Sequence, residues 1–161
     1  MKDRLNKGGM VDVSGKKVTK RVAVASGRIS LSKQAYEALI KKGSPKGDVF
    51  DTAKVAGIQA AKETSRIIPF CHPLPLNKVS VSFEPDPRTK SILIKSEVIC
   101  LGQTGVEMEA LTAVSAAALT IYDMMKWADQ TMVISEIKLE EKIGGKSDFR
   151  RSSKNFLNTF K

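Results

Sequence analysis

Charged side chains stand at both ends of one uncharged stretch. In GQTGVEMEALTAVSAAALTIYDMMK, residues 102–126, Glu107 and Glu109 precede the thirteen uncharged residues Ala110 to Tyr122, and Asp123 and Lys126 follow them. A carboxylate and an ammonium three residues apart share one helix face, and such a pair can work as base and acid in proton transfer. The stretch between is built mostly from Ala, Ser, Thr, Leu, Val and Ile. A helix apolar on every side is normally buried on every side, so this segment is expected to be the central helix of the domain. Thirteen residues rise only about 20 Å, too short to span a bilayer.

The two charged ends cannot make one compact site within a single chain. Glu109 and Asp123 are fourteen residues apart, roughly 21 Å along a continuous helix. Three arrangements are open: the ends do unrelated jobs, the ligand is long, or a second copy of the chain brings the opposite end alongside. A structural reading competes with all three. Thr104 and Glu107 have the spacing of a capping box, acidic residues suit a helix N-terminus, and Asp123 with Lys126 fits an ordinary surface ion pair of little energetic weight.

Two further stretches could touch a ligand. The only histidine, His72, lies in IIPFCHPLPL (67–76), where prolines at 69, 73 and 75 fix φ and favour a stiff, extended segment. A rigid segment is a good mount for an imidazole that titrates near neutral pH, although a lone histidine is more often structural. The second stretch is Lys142-Ile143-Gly144-Gly145-Lys146-Ser147. Glycines between lysines can offer backbone N–H groups and positive charge to an anion. It is not a Walker A loop, because position 140, where that motif needs glycine, is Glu140. The competing reading is a solvated turn.

Charge points the same way. The chain of 161 residues carries +10, and residues 1–46 hold 12 Lys and Arg against 3 Asp and Glu, a net +9. Such a segment implies an anionic partner, either nucleic acid or a small polyphosphate. No aromatic residue falls in an RRM-type sequence or a basic, aromatic-interleaved stretch, which weakens the nucleic-acid reading. Cys71 and Cys100 make neither a disulfide framework nor a C-x-x-C site. The start has no apolar run after its charges, so the expectation is a cytoplasmic protein with reduced thiols and no membrane span.

These residues need a scaffold, and 42% hydrophobic content supplies a core for one domain. Residues 1–9 read as a basic tail, 10–151 as the domain and 152–161 as a second tail, in which Phe156, Leu157 and Phe160 could dock as a short helix. Alternation over 10–13 and 21–31, with a turn signal at Ser26-Gly27, predicts a hairpin or two short strands. Ser32 caps a helix over 33–42 that Gly43 closes. Asp48 caps a second helix running to about Ser65. Residues 78–84 and 91–101 form a hairpin around Pro85-Asp86-Pro87-Arg88, and 132–139 supplies another strand. The order predicts an α+β fold: an antiparallel sheet with helices packed on one face, ferredoxin-like.

Three long blocks, KGDVFDTAKVAGIQAAKETSRIIPFCHPLPL (46–76), residues 102–126 and KIGGKSDF (142–149), closely resemble the molybdenum cofactor biosynthesis protein C family, the cyclic pyranopterin monophosphate synthases. The likeness begins at Met10-Val11-Asp12-Val13 and runs to about Phe149. It implies conversion of a cyclised dihydroguanosine triphosphate to cyclic pyranopterin monophosphate with release of pyrophosphate. On that likeness Asp123 and Lys126 match the catalytic pair. Phe70, Cys71 and His72 match a substrate-binding stretch, as do Glu107, Met108 and Glu109, with Lys46, Lys142 and Arg21 as basic groups around the site. The resemblance also implies homo-oligomers, hexamers built from dimers, with the site at a subunit interface. No spacing of metal ligands occurs, so no metal cofactor is expected; a Mg²⁺ ion could accompany the triphosphate, though nothing in the sequence calls for one. Lys126, beside Asp123 and partly desolvated, could serve as the proton donor or acceptor if burial lowers its pKa. The rival reading is a small RNA-binding module with salt-sensitive affinity.

Overall fold

The computed structural model describes residues 8–152. Its elements run β1 (Thr19–Ser30), α1 (Lys33–Lys42), α2 (Val49–Lys62), α3 (Thr64–Ile67), β2 (Leu76–Asp86), β3 (Ser91–Gly102), α4 (Glu107–Met125), β4 (Val133–Ile143) and β5 (Phe149–Arg150). The strands form one antiparallel sheet in the order β2-β3-β1-β4-β5. Without the short β5, that is the strand order of a ferredoxin-like fold. Of the two expected tails, only Gly8, Gly9 and Ser152 fall within the described residues; the docking helix expected at Phe156–Phe160 falls outside them.

The expected N-terminal hairpin is not there. Met10–Val13 is not a strand, and β1 runs unbroken through Ser26-Gly27. It is held on both sides, by β3 in a continuous register from Thr19↔Gly102 to Ser30↔Ser91 and by β4. Gly27 is needed for packing rather than for turning: a Cβ there would come within 2.6 Å of Val114 Cγ1 on α4. The glycine lets the central helix lie close on the middle strand. This is a tertiary demand that a local turn rule cannot register.

Caps follow local chemistry where the chain is exposed. The Ser32 hydroxyl accepts from Ala35 N–H, Asp48 accepts from Asp51 N–H, and Gly43 closes α1 at φ 72°. The second helix ends earlier than expected, at Lys62, and the chain continues as the short α3. At α4 the capping box of the structural reading does not form: the helix begins at Glu107, so Val106 and not Thr104 is the N-cap, with no side-chain hydrogen bond, and the Glu107 carboxylate meets Lys142.

The core lies between the sheet and α2/α4. From the sheet come Ala23, Ala25, Ile29, Ile92, Ile94 and Val98; from α4 come Ala113, Val114, Ala117 and Ile121, all buried. Gly57 of α2 meets α4 so closely that a Cβ would stand 2.9 Å from the Ala113 carbonyl oxygen. Small residues therefore set the helix spacing. The central helix is not buried all round, as the sequence suggests. Its outer stripe of Met108, Leu111, Thr112, Ser115 and Leu119 is half-buried or open, with Leu119 61% exposed.

Candidate active site

The two ends of α4 carry separate clusters, and each is assembled from distant segments. At the C-terminal end Asp123 and Lys126 project one turn apart, and the Lys126 ammonium lies 2.7 Å from Asp123 Oδ1. A second ammonium, Lys46 Nζ, lies 2.6 Å from Asp123 Oδ2. The α1–α2 loop holds that lysine in place. Ser44 Oγ donates to the Met124 carbonyl at 2.7 Å and accepts from Lys46 N–H at 3.1 Å, while Gly43 and Gly47 take the positive φ that the loop needs. The group is open to solvent.

Two hydrogen-bonded lysines, Lys126 first, hold the Asp123 carboxyl down at about 2. The reciprocal effect raises the pKa of Lys126, chiefly through the hydrogen bond to Asp123. The condition that burial lower the pKa of Lys126 is therefore not met. Lys126 is half-exposed, so its partner's charge outweighs desolvation. At neutral pH the cluster is a carboxylate between two ammonium ions.

The N-terminal end is concave. A cavity of about 210 Å³ is lined by Lys16, Arg21, Gln103, Glu107, Lys142 and Lys146. Lys142 Nζ stands 3.0 Å from Glu107 Oε1. Arg21 donates through Nε to the Gly102 carbonyl and through Nη2 to that of Gln103, both at 3.2 Å. The Gly144-Gly145 loop packs here because glycine fits. A Cβ on Gly144, at φ 88°, would collide with the Lys20 carbonyl, and one on Gly145 would crowd Arg21 Nη1 at 3.0 Å. The Gly144 amide is already committed to Asp148 at 3.0 Å. What the loop presents to the cavity is therefore Gly145, Lys146 and Ser147.

A groove of about 410 Å³ adjoins it, lined by Phe70, Cys71, His72, Met108 and Glu109 and closed on one side by Gly9, Val11, Val13 and Lys16. Lys16, Thr104, Gly105 and Glu107 line both spaces. The proline-rich segment delivers His72 as an extended strap between α3 and β2, and its Nε2 lies 2.9 Å from the Val11 carbonyl oxygen. Glu109 is 4% exposed. Burial pushes its carboxyl up to about 7, with the Glu107 charge adding to the effect and its own backbone N–H opposing it. Burial, followed by the Glu109 charge, also raises the thiols of Cys71 and Cys100.

One side of the molecule thus gathers Arg21, Phe70, Cys71, His72, Glu107, Met108, Glu109 and Lys142. Lys46, grouped with Arg21 and Lys142 in the sequence, joins Asp123 and Lys126 at the far end instead. Glu107 and Asp123, sixteen residues apart on one helix, are separated by roughly 24 Å. The sequence model of the MoaC family matches residues 10–145. The chain belongs to the MoaC family. The matched span of this MoaC-family chain contains Lys46, Asp123 and Lys126 at one end and Arg21, His72, Glu107, Glu109 and Lys142 at the other.

Relatives agree over nearly the full length. Each of the following is named cyclic pyranopterin monophosphate synthase. A protein of Desulfatibacillum aliphaticivorans is 54% identical over 138 residues, 86% of this chain and 87% of its own. One of Helicobacter hepaticus is 53% identical over 150 residues, 92% and 94%. One of Chloroflexus aggregans is 52% identical over 150 residues, 92% and 91%.

Sequence reasoning passed over Lys16 and Gln103. Lys16 is one of many N-terminal cations, with nothing local to distinguish it. Gln103 does sit between a strand-ending glycine and the helix, a place where a side chain is well aimed. Among the described residues no group of three or more His, Cys, Asp and Glu could hold a metal ion, and no helix is long and apolar enough to cross a membrane.

Proposed function

We propose that the chain is a cyclic pyranopterin monophosphate synthase, a lyase of molybdenum cofactor biosynthesis. Its substrate would be a cyclised dihydroguanosine triphosphate and its products cyclic pyranopterin monophosphate and pyrophosphate. The reading rests on the named relatives and on one structural observation: a cationic cleft and an Asp–Lys pair at opposite ends of a single helix. Closing the cyclic phosphate requires a ribose-derived hydroxyl to attack the α-phosphorus while the bond to pyrophosphate breaks. Fixed cations stabilise the charge that gathers on the phosphoryl oxygens, and Arg21, Lys142 and Lys146 line a cavity of suitable character. Rebuilding the purine into a pterin requires proton transfers. Asp123 enters as a carboxylate able to accept a proton, and Lys126 as an ammonium able to donate one. Glu109, with a pKa near neutrality, can stand on either side of a transfer.

The ends are joined by a second copy of the chain. The outer stripe of α4 runs between the two clusters, with the apolar Met108 and Leu119 exposed at its ends and Leu111, Thr112 and Ser115 half-buried between them. Antiparallel packing along it would set the Glu109 end of one helix beside the Asp123 end of the other, giving two composite sites per dimer by symmetry. Hexamers built from such dimers, a cytoplasmic setting and a pterin product belong to the same proposal. Arg and Lys supply the anion-binding charge, so no resident metal is invoked and any Mg²⁺ would come with the triphosphate.

The test is to supply the cyclised intermediate and follow pyrophosphate and pterin. Mixing Asp123→Asn chains with Glu109→Gln chains then probes the shared site: mixed oligomers should regain part of the activity that neither variant has. No recovery at any mixing ratio would place the clusters in separate sites. Salt-sensitive binding of RNA, with indifference to the cyclised intermediate, would favour the nucleic-acid alternative instead.

A further inference from the structure

The segment Gly9–Lys17 has no strand partner, yet it forms one wall of the groove. A small turn shapes it: Lys16 N–H donates to the Val13 carbonyl at 2.9 Å, and the Asp12 carboxylate accepts from Ser14 N–H and Oγ at 2.9 and 2.7 Å. Two side chains of the main body tether this turn. One is His72, at the Val11 carbonyl. The other is Gln103, whose amide nitrogen donates to the carbonyls of both Ser14 and Lys16, at 3.2 and 3.0 Å. Gripping the chain on both sides of Gly15 fixes where Lys16 leaves the backbone. Lys16 then lies where the cavity and the groove meet, lining both, and its ammonium has no ion-pair partner among the described residues.

We infer that Gln103 is a positioning residue that latches the Gly9–Lys17 strap, so that Lys16 contributes a cation to the polyphosphate end of the substrate. This rests on the function proposed above for the same site. The contrast with Lys142 gives the physical reason. The Lys142 charge is partly satisfied by Glu107, and Arg21 spends donors on two carbonyls. Among the described residues the Lys16 ammonium has no hydrogen-bond or ion-pair partner, which leaves its N–H donors for a ligand. An ammonium on an exposed, strand-free segment would gain little if the segment wandered, because ordering it costs conformational entropy. Two hydrogen bonds from one amide remove part of that cost in advance, which is how preorganisation raises affinity. Gln103 is held in turn, since its own carbonyl accepts from Arg21. The latch and the cavity arginine are thus coupled through one backbone unit.

The test compares Lys16→Ala, Gln103→Ala and the double variant. Lys16→Ala should raise KM about tenfold, the size expected for losing one charge-assisted contact, with kcat within about twofold, the signature of uniform binding. Gln103→Ala should raise KM by a smaller factor. In the double variant the Gln103 change should add almost nothing, because a residue that acts through Lys16 has no effect once Lys16 is gone. Multiplying losses, or a loss carried by kcat alone, would overturn the inference. A second readout does not need turnover. Inorganic tripolyphosphate should slow amide hydrogen exchange over residues 14–20 in the unaltered protein, and Gln103→Ala should abolish that protection. Absence of protection in the unaltered protein would also overturn it. Failure of the unaltered protein to release pyrophosphate from the cyclised intermediate would count against the assigned reaction, while the exchange experiment still decides the strap.

Discussion

Glu109 and Asp123 are carboxylates on the same helix, and their surroundings drive them in opposite directions. Glu109 sits under the proline-rich segment, 4% exposed and pushed up to about 7. Asp123 stands in solvent between Lys46 and Lys126 and is held at about 2. One group is shaped by what is taken away, namely water, and the other by what is added, namely two hydrogen-bonded cations. Environments that separate the pKa values of like groups are a means of assigning acid and base roles. Here the two groups are separated by the uncharged run of a single helix, so each end can be set without disturbing the other.

The largest expected effect is at the exposed end. Lys126→Ala should leave the fold and assembly intact and remove turnover, a loss on the order of 10²–10⁴ if the ammonium takes part in proton transfer. Near-normal turnover with the cyclised intermediate would reduce the Asp123 cluster to a surface ion pair. At the buried end Glu109→Gln tests the other half of the contrast through stability. The folded pKa of Glu109, about 7, exceeds its unfolded value of 4.5. The folded state therefore holds its proton longer, and the stability associated with it is complete below pH 4.5 and lost as pH rises through about 7. Thermal melts between pH 4.5 and 8 should show that decline in the unaltered protein and a flatter profile in Glu109→Gln. Identical profiles would mean that Glu109 ionises as freely as Asp123.

Smaller effects concern the rod between the ends. Gly57→Ala forces a methyl against the Ala113 carbonyl, and backbone cannot move aside as a side-chain tip can. Denaturant unfolding should register a loss of about 1–3 kcal/mol. Asp129, just beyond the exposed end, accepts from Ser32 N–H and from Thr131 N–H and Oγ, each at 2.7 Å. Asp129→Ala should cost about 1 kcal/mol. Its carboxyl is held at about 2, so the stability it contributes is lost as pH falls from 3.8 through about 2 and the difference from the variant should vanish there.

Much of this was legible beforehand wherever the cause is local. The cap at Ser32, the stop at Gly43 and the cap at Asp48 depend on residues within one turn, and all three stand as read. The capping box at Thr104-x-x-Glu107 obeys the same kind of rule and still fails: the helix begins at Glu107 with Val106 as its N-cap, and the Glu107 carboxylate meets Lys142, 35 positions away in the sequence. Gly27 was misread for the same reason. Its lack of a side chain answers to Val114 on α4, not to its neighbours in β1.

The amino-acid order by itself determined the periodicities, the stiffness of the proline-rich segment, the uncharged run of α4 and the placement of acids and bases at its two tips. Those are properties of neighbours along the chain, and the ordered blocks that mark the family are of the same kind. Only the tertiary structure decided which cations meet which carboxylates, that Lys46 crosses to Asp123 while Lys142 and Arg21 stay with Glu107, and that Glu109 is dry while Asp123 is wet. Desolvation and ion pairing act through space over a few ångströms, between groups that the chain separates by dozens of residues.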